Sequence, residues 1–148
     1  MKLPEIEISI KYKGTKRTEL KKVQSSKDMY AILKEMYNED QIFWNEQAIL
    51  ICLNNANKVI GYYKISQGGV TATVIDTRVI FTTALNCVGT TQIILSHNHP
   101  SGNTIPSQQD KAVTEKIKKA GKILDIQLID HIIYTDEGYY SFMDDGEL

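Results

Sequence analysis

Cysteine is nearly missing from this sequence: Cys52 and Cys87 are its only two, and they lie far apart. That excludes a disulfide framework and a four-cysteine zinc site, and it suits a reducing compartment in which both are core thiols. An excess of charge of one sign is missing too. With 17 basic against 18 acidic residues the formal net charge is -1, so no global field draws the chain to nucleic acid or to an anionic membrane. No apolar run approaches the roughly 18 residues of a transmembrane helix. The amino terminus "MKLPEIEISIKYKG" alternates where a signal peptide would hold an apolar stretch. A soluble cytoplasmic protein with no membrane partner is the expectation. Repeats, low-complexity tracts and obvious linkers are also wanting. What is there, 148 residues of which 42% are hydrophobic and 24% charged, is enough to bury one sizeable core.

Periodicity gives the order of elements. Ile6, Ile8, Ile10 and Tyr12 alternate with polar residues, which predicts a half-buried strand turning at Gly14, with a second short strand after it. Ser25 and Asp28 have capping-box spacing, and Met29, Ile32, Leu33 and Met36 recur on one helical face. "QAILICLN" and "KVIGYYKISQGG", joined by the polar "NNANK", read as a hairpin from a central sheet. Asp76 caps a helix running to about Cys87, stopped by Gly89, and "QIILSHN" is apolar and β-prone. A helix from Ser107 to about Leu124 and strands in "QLIDHIIYT" and "YYSF" complete the chain. The fold class is α/β. Two regions are expected: an N-terminal extension over residues 1-40, a strand hairpin plus an amphipathic helix, and a second unit over residues 41-148.

Histidine is scarce as well, yet two of the three occur in "IILSHNHPSGNTIPSQQD". If Ile93 to Asn98 is a strand, His97 and His99 leave the same face, roughly 6 to 7 Å apart at the backbone. Two imidazoles so placed can converge on one ion. Pro100, Gly102 and Asn103 turn the chain back. Asp110 then falls in the first turn of the next helix, where its carboxylate can point across the loop toward the histidines. Two neutral imidazoles and one carboxylate leave a fourth position open on tetrahedral zinc, the arrangement of catalytic sites. Magnesium and calcium prefer oxygen ligands.

"HNHPSGNTIPSQQD" reads His-x-His-Pro, six residues, Ser, two residues, Asp. It resembles the JAMM motif of the MPN/JAB metalloprotease superfamily. The Asn between the histidines, the "HPSG" and "PS" turn and "KKAGKILDIQLIDHIIYTDEGYYSF" look like the RadC-like branch. The resemblance covers roughly Ile42 to Phe142. It implies a mixed, curved central sheet flanked by helices, the MPN/JAB (cytidine-deaminase-like) architecture. It also implies that His97, His99 and Asp110 hold one zinc per chain. Glu46, immediately before an apolar strand, would be the general base that takes a proton from the attacking water and passes it to the leaving amine. Ser107 would stabilise the oxyanion. The implied reaction is hydrolysis of a peptide or isopeptide bond.

Other readings compete for the same residues. Ser107 and Asp110 form S-x-x-D, a capping box that needs no metal. Glu46 could be a solvated residue before a strand, with Glu35, Glu39 and Asp40 as weaker rivals for the base. Asn98 should face away from the histidines and bond the backbone. His131 shares its strand with Asp130, on opposite faces if the strand is regular, and is expected as a satisfied strand histidine with a supporting role open to it. Lys111, Lys116, Lys118, Lys119 and Lys122 make a solvated helix face opposite Val113, Ile117, Ala120 and Leu124. Two further functions stand beside the hydrolase. One is a nucleic-acid partner, through the DNA-repair label traditionally carried by the RadC branch and the lysine-rich Lys11 to Lys22. The other is an interaction scaffold like metal-free MPN domains, although those lose motif residues that this chain keeps.

Overall fold

The computed structural model describes residues 1–14, 20–67 and 75–148. Its elements run α1 (Ser26–Met36), β1 (Gln47–Leu53), β2 (Val59–Gln67), α2 (Thr77–Asn86), β3 (Gln92–Asn98), α3 (Gln108–Ile123), β4 (Gln127–Tyr134) and β5 (Tyr139–Ser141). The strands form one five-stranded sheet in the order β2-β1-β3-β4-β5. Only the β3–β4 pair is parallel; its crossover is α3. The other three pairs are antiparallel, so the sheet is mixed and the fold α/β, as expected.

β1 and β3 occupy the middle of the sheet, and β1 is buried along its whole length. Its side chains alternate between two apolar layers. Ile49, Ile51 and Leu53 pack with Ile94, Ile132 and Tyr134 against Met29, Ile32 and Leu33 of α1. Leu50 and Cys52 pack with Ile93 and Leu95 against Ile80, Phe81 and Ala84 of α2 and Ile117 of α3. Helices therefore cover both faces. Both cysteines are free core thiols, and the hydrogen bond to Cys87 together with burial pushes the Cys52 thiol up.

The helix starts follow the capping signals. Ser25 accepts from the Asp28 N–H at α1, and Asp76 accepts from the Arg78 N–H at α2. The lysines named on α3 are exposed, while Ile117 is buried and Val113 and Ala120 are partly so. Leu124 is 41% exposed, because it is the C-cap and lies past the packed turns. Gly121 closes that end: a Cβ there would lie 2.2 Å from the Ile126 carbonyl oxygen, so only glycine lets the chain turn directly into β4.

Two expectations need correcting. No strand forms over residues 1–13: Ile6 and Ile8 are 83% and 70% exposed, so the alternation buries no apolar face. The expected second strand survives as an isolated Lys22–Lys58 bridge, flanked by Val23 N–H to Asn57 O at 2.8 Å and Val59 N–H to Lys21 O at 2.9 Å. Part of that hairpin and of the lysine-rich segment, residues 15–19, lies outside the described residues. The other correction concerns β4. It is not regular: Ile93 pairs with Leu128 and Ile94 with Asp130, which leaves Ile129 as an extra residue and only partly buried.

Helix α1 shares its core with β1, β3 and β4, and both Met29 and Leu33 are fully buried. Truncating Leu33→Ala should cost about 2–5 kcal/mol of whole-chain stability. Urea unfolding followed by near-UV and far-UV signals should then show one transition moved to lower denaturant. A near-wild-type midpoint, or a separate early transition for the helix, would show that α1 is an appendage.

Candidate metal centre

β3 presents its final residues alternately to the two sides of the sheet, and the candidate site is built on that alternation. His97 is 2% exposed and points to the α2/α3 side, His99 follows just past the strand end, and Asn98 points the other way. The loop after His99 folds back on itself. Gly102, with φ +76°, donates to the His99 carbonyl at 2.9 Å, and Asn103 Oδ1 accepts from the Ile105 N–H at 2.8 Å. This turn delivers Ser107 as N-cap of α3 and Asp110 in its first helical turn.

The side chains converge as the spacing implied. His97 Nε2 and His99 Nε2 are 3.0 Å apart. Asp110 places Oδ1 at 3.1 Å from His97 Nε2 and Oδ2 at 3.2 Å from His99 Nε2. His99 Nδ1 lies 2.7 Å from the Asn103 carbonyl, which can only accept, so Nδ1 bears a proton and Nε2 is the nitrogen turned inward. Ligands of a tetrahedral zinc with bonds of about 2.0–2.1 Å stand about 3.3 Å apart. The three groups are spaced close to that value, and the donor set is nitrogen-rich, so they fit zinc better than a hard oxygen-seeking cation.

Electrostatics agree that this point favours positive charge. Burial works against the Asp110 carboxylate, yet the two histidines it faces and the Ser107 N–H hold its carboxyl well below the usual range. The Asp110 hydrogen bond in turn raises His99 above the ordinary imidazole range, against the burial that lowers it. A divalent cation at the convergence satisfies the same lone pairs without protons.

Glu46 stands on the approach to β1, with a carboxylate oxygen within 4.8 Å of the ligand nitrogens of His97 and His99. Its position is set from β3. Asn98, buried to 1% exposure, accepts from the Gln47 N–H at 2.6 Å and donates to Ile42 O at 2.8 Å and Asn45 O at 3.0 Å. One amide thus ties the segment bearing Glu46 to the strand bearing the histidines, by backbone bonds as its residue type suggested. The rival carboxylates Glu35, Glu39 and Asp40 are exposed, and Glu35 pairs with Lys21 at 2.7 Å.

Ser107 has the capping geometry. Its Oγ accepts from the Asp110 N–H at 3.0 Å, and Asp110 Oδ2 accepts from the Ser107 N–H at 2.8 Å. Both readings of the S-x-x-D pattern therefore fall on one structure, since the capping carboxylate is also the one facing the histidines.

Two residues beside the site carry more than the sequence suggested. His131, fully buried, puts Nε2 at 2.8 Å from His97 Nδ1 and Nδ1 at 2.5 Å from Thr114 Oγ1. Burial, then the charge of His97, pushes its pKa well below the ordinary value. Thr114 was not singled out, because a threonine inside an amphipathic helix reads as an ordinary boundary residue. Its signal lay in the i+4 spacing from Asp110, which puts both on one face of α3.

Among the described residues, no helix is long and apolar enough to cross a membrane. A family profile described as "RadC-like JAB domain" matches residues 23–147. A UPF0758 protein of Flavobacterium johnsoniae is 46% identical over 129 residues, which cover 86% of this chain and 54% of the relative. UPF0758 proteins of Thermotoga maritima and Porphyromonas gingivalis are 38% and 41% identical over 128 and 104 residues, covering 86% and 70% of this chain and 55% and 45% of theirs. The chain thus spans about half the length of the curated relatives it matches. A profile that takes in the histidine pair, the capping carboxylate and the strands beneath them, together with relatives this similar, places the chain in the RadC-like JAB domain family.

Proposed function

We propose that this chain is a zinc-dependent metallohydrolase of the JAMM type that cleaves a peptide or isopeptide bond. The observation that carries the reading is the convergence of His97 Nε2, His99 Nε2 and the Asp110 carboxylate to 3.0–3.2 Å, with Glu46 close by. His97, His99 and Asp110 would hold the ion. Zinc there would supply a Lewis acid that acidifies water and polarises a carbonyl.

The chain's own groups supply the proton transfers and the polar contacts. Glu46, held through Asn98, receives the proton of the attacking water and returns it to the departing amine. Glu46 is itself half-buried, which shields its carboxylate in part from bulk solvent. The Ser107 hydroxyl accepts from the Asp110 N–H and so keeps its own proton available to donate to a developing oxyanion. The polypeptide's role is to hold five side chains, on β3 and α3 and at the ends of β1, β3 and α3, in place before substrate arrives.

Elemental analysis of the purified chain should find one zinc, and the His97→Ala/His99→Ala double variant should have none. Zinc retained in the double variant would refute the ligand assignment, and a wild-type chain that stays metal-free after zinc is supplied would favour a non-catalytic scaffold. Glu46→Gln should keep its zinc and lose at least 100-fold in cleavage of a peptide-library substrate, on the order expected for a general base. Undiminished turnover would remove Glu46 from the mechanism. Ser107→Ala should slow cleavage and also cost about 1 kcal/mol through the lost cap. Thermal melts run beside the assay separate the two effects, and a rate loss that vanishes when folded protein is counted leaves Ser107 as a cap alone.

A further inference from the structure

His97 has one nitrogen for an ion and one for the protein, and the protein's side of it is a chain of three groups. Thr114 Oγ1 lies 2.6 Å from the Asp110 backbone carbonyl and 2.5 Å from His131 Nδ1. A hydroxyl has a single proton, and the carbonyl can only accept. The Thr114 proton therefore goes to the carbonyl, and His131 Nδ1 must donate to Thr114 Oγ1. A neutral His131 with its proton on Nδ1 has a bare Nε2. That lone pair faces His97 Nδ1 at 2.8 Å and accepts its proton. His97 is then left with an unprotonated Nε2, the atom that meets His99 and Asp110.

We propose that His131 is a positioning residue: through the run Asp110 carbonyl, Thr114, His131, His97 it sets the His97 tautomer whose Nε2 lone pair is turned to the metal. The proposal rests on the metallohydrolase reading for its function, though the tautomer itself does not. The β4 irregularity is what makes the contact. The extra residue Ile129 lets Leu128 and His131, three apart, both face the α3 side, where Leu95 pairs with His131 one step below His97. Phe142 stacks on the His131 ring at 4.8 Å and 9°, which fixes the ring plane. The tie also runs through α3, because the carbonyl that orients Thr114 belongs to Asp110, itself facing the same two histidines. Outer partners of metal-bound imidazoles typically change metal affinity 10- to 100-fold when removed.

The test combines a spectroscopic reading with a competition assay on the full chain. Long-range proton–nitrogen NMR of the histidine rings should show His97 protonated at Nδ1, both metal-free and with zinc. His131→Phe keeps the ring shape and removes the acceptor, so zinc affinity measured against a chelator should fall 10- to 100-fold. His131→Gln, which can accept from His97 and donate to Thr114, should recover most of it. A bare His97 Nδ1 overturns the proposal, as does a folded His131→Phe chain that binds zinc within twofold of wild type. If His131→Phe does not fold, Thr114→Val against Thr114→Ser is the same comparison one step further out: loss in the first and recovery in the second support the relay, and equal affinities overturn it. A wild-type chain that binds no zinc sinks the metal reading, while the protonation state of His97 still decides the tautomer.

Discussion

The constraint on which the rest of the structure depends is the burial of an imidazole on a central strand. His97 sits on β3 with almost no solvent contact, so both ring nitrogens must find partners inside the protein. One side is answered by His131 and, behind it, Thr114. The other side opens on His99 and Asp110. A buried ring with one nitrogen already engaged has only one direction left for chemistry. That direction is the mouth formed where β3 ends and α3 begins, so the fold and the site share a boundary.

The two faces of the sheet divide the labour. On the α2/α3 side lie the histidines, Asp110 and Thr114; on the α1 side Tyr37 bonds Ser96 at 2.9 Å and stacks on Tyr134 at 4.4 Å. Asn98, the last residue of β3, works on this second side and clamps the Glu46 segment. Consecutive residues of one strand thus control the candidate ligands and the candidate base from opposite faces, which is why they can be held rigidly without crowding each other. The apolar layers beneath supply the stiffness. β1 is buried end to end between them, and its antiparallel register with β3 pairs Ala48 with His97, so the strand that follows Glu46 cannot slide against the histidines without losing its burial on both faces.

Local patterns made much of this legible. The His-x-His spacing, the turn residues and the S-x-x-D start of α3 each encode a local geometry, and local geometry was enough to bring His97, His99 and Asp110 together. The three helices were readable for the same reason, since caps and apolar stripes are properties of neighbouring residues. What escaped depended on distant ones. Alternation over Ile6 to Tyr12 looked like a strand, but a strand requires an edge to pair with, and pairing is not written in the segment itself. The extra residue at Ile129 escaped because every residue around it is β-prone, so only the pairing with β3 reveals which one is surplus. His131 followed from it: its ring could be assigned to a face, but not to His97, until the offset between β3 and β4 was known.

The capping box of α3 shows how a structural device and a chemical one become the same object. Asp110 Oδ2 accepts from the Ser107 N–H, and this bond turns the carboxylate back over the helix start, where the positive end of the helix favours negative charge. In that pose Oδ1 faces His97 and Oδ2 also reaches His99. A capping carboxylate elsewhere would face water; here the loop from His99 to Ser107 folds so tightly that the cap faces the strand it came from. The carboxylate is therefore oriented before any ion binds, and the entropy of ordering it is absorbed by folding instead of by binding. Its backbone carbonyl orients Thr114 as well, so one residue at the start of one helix acts on His97 and His99 directly and on His131 through a single hydroxyl.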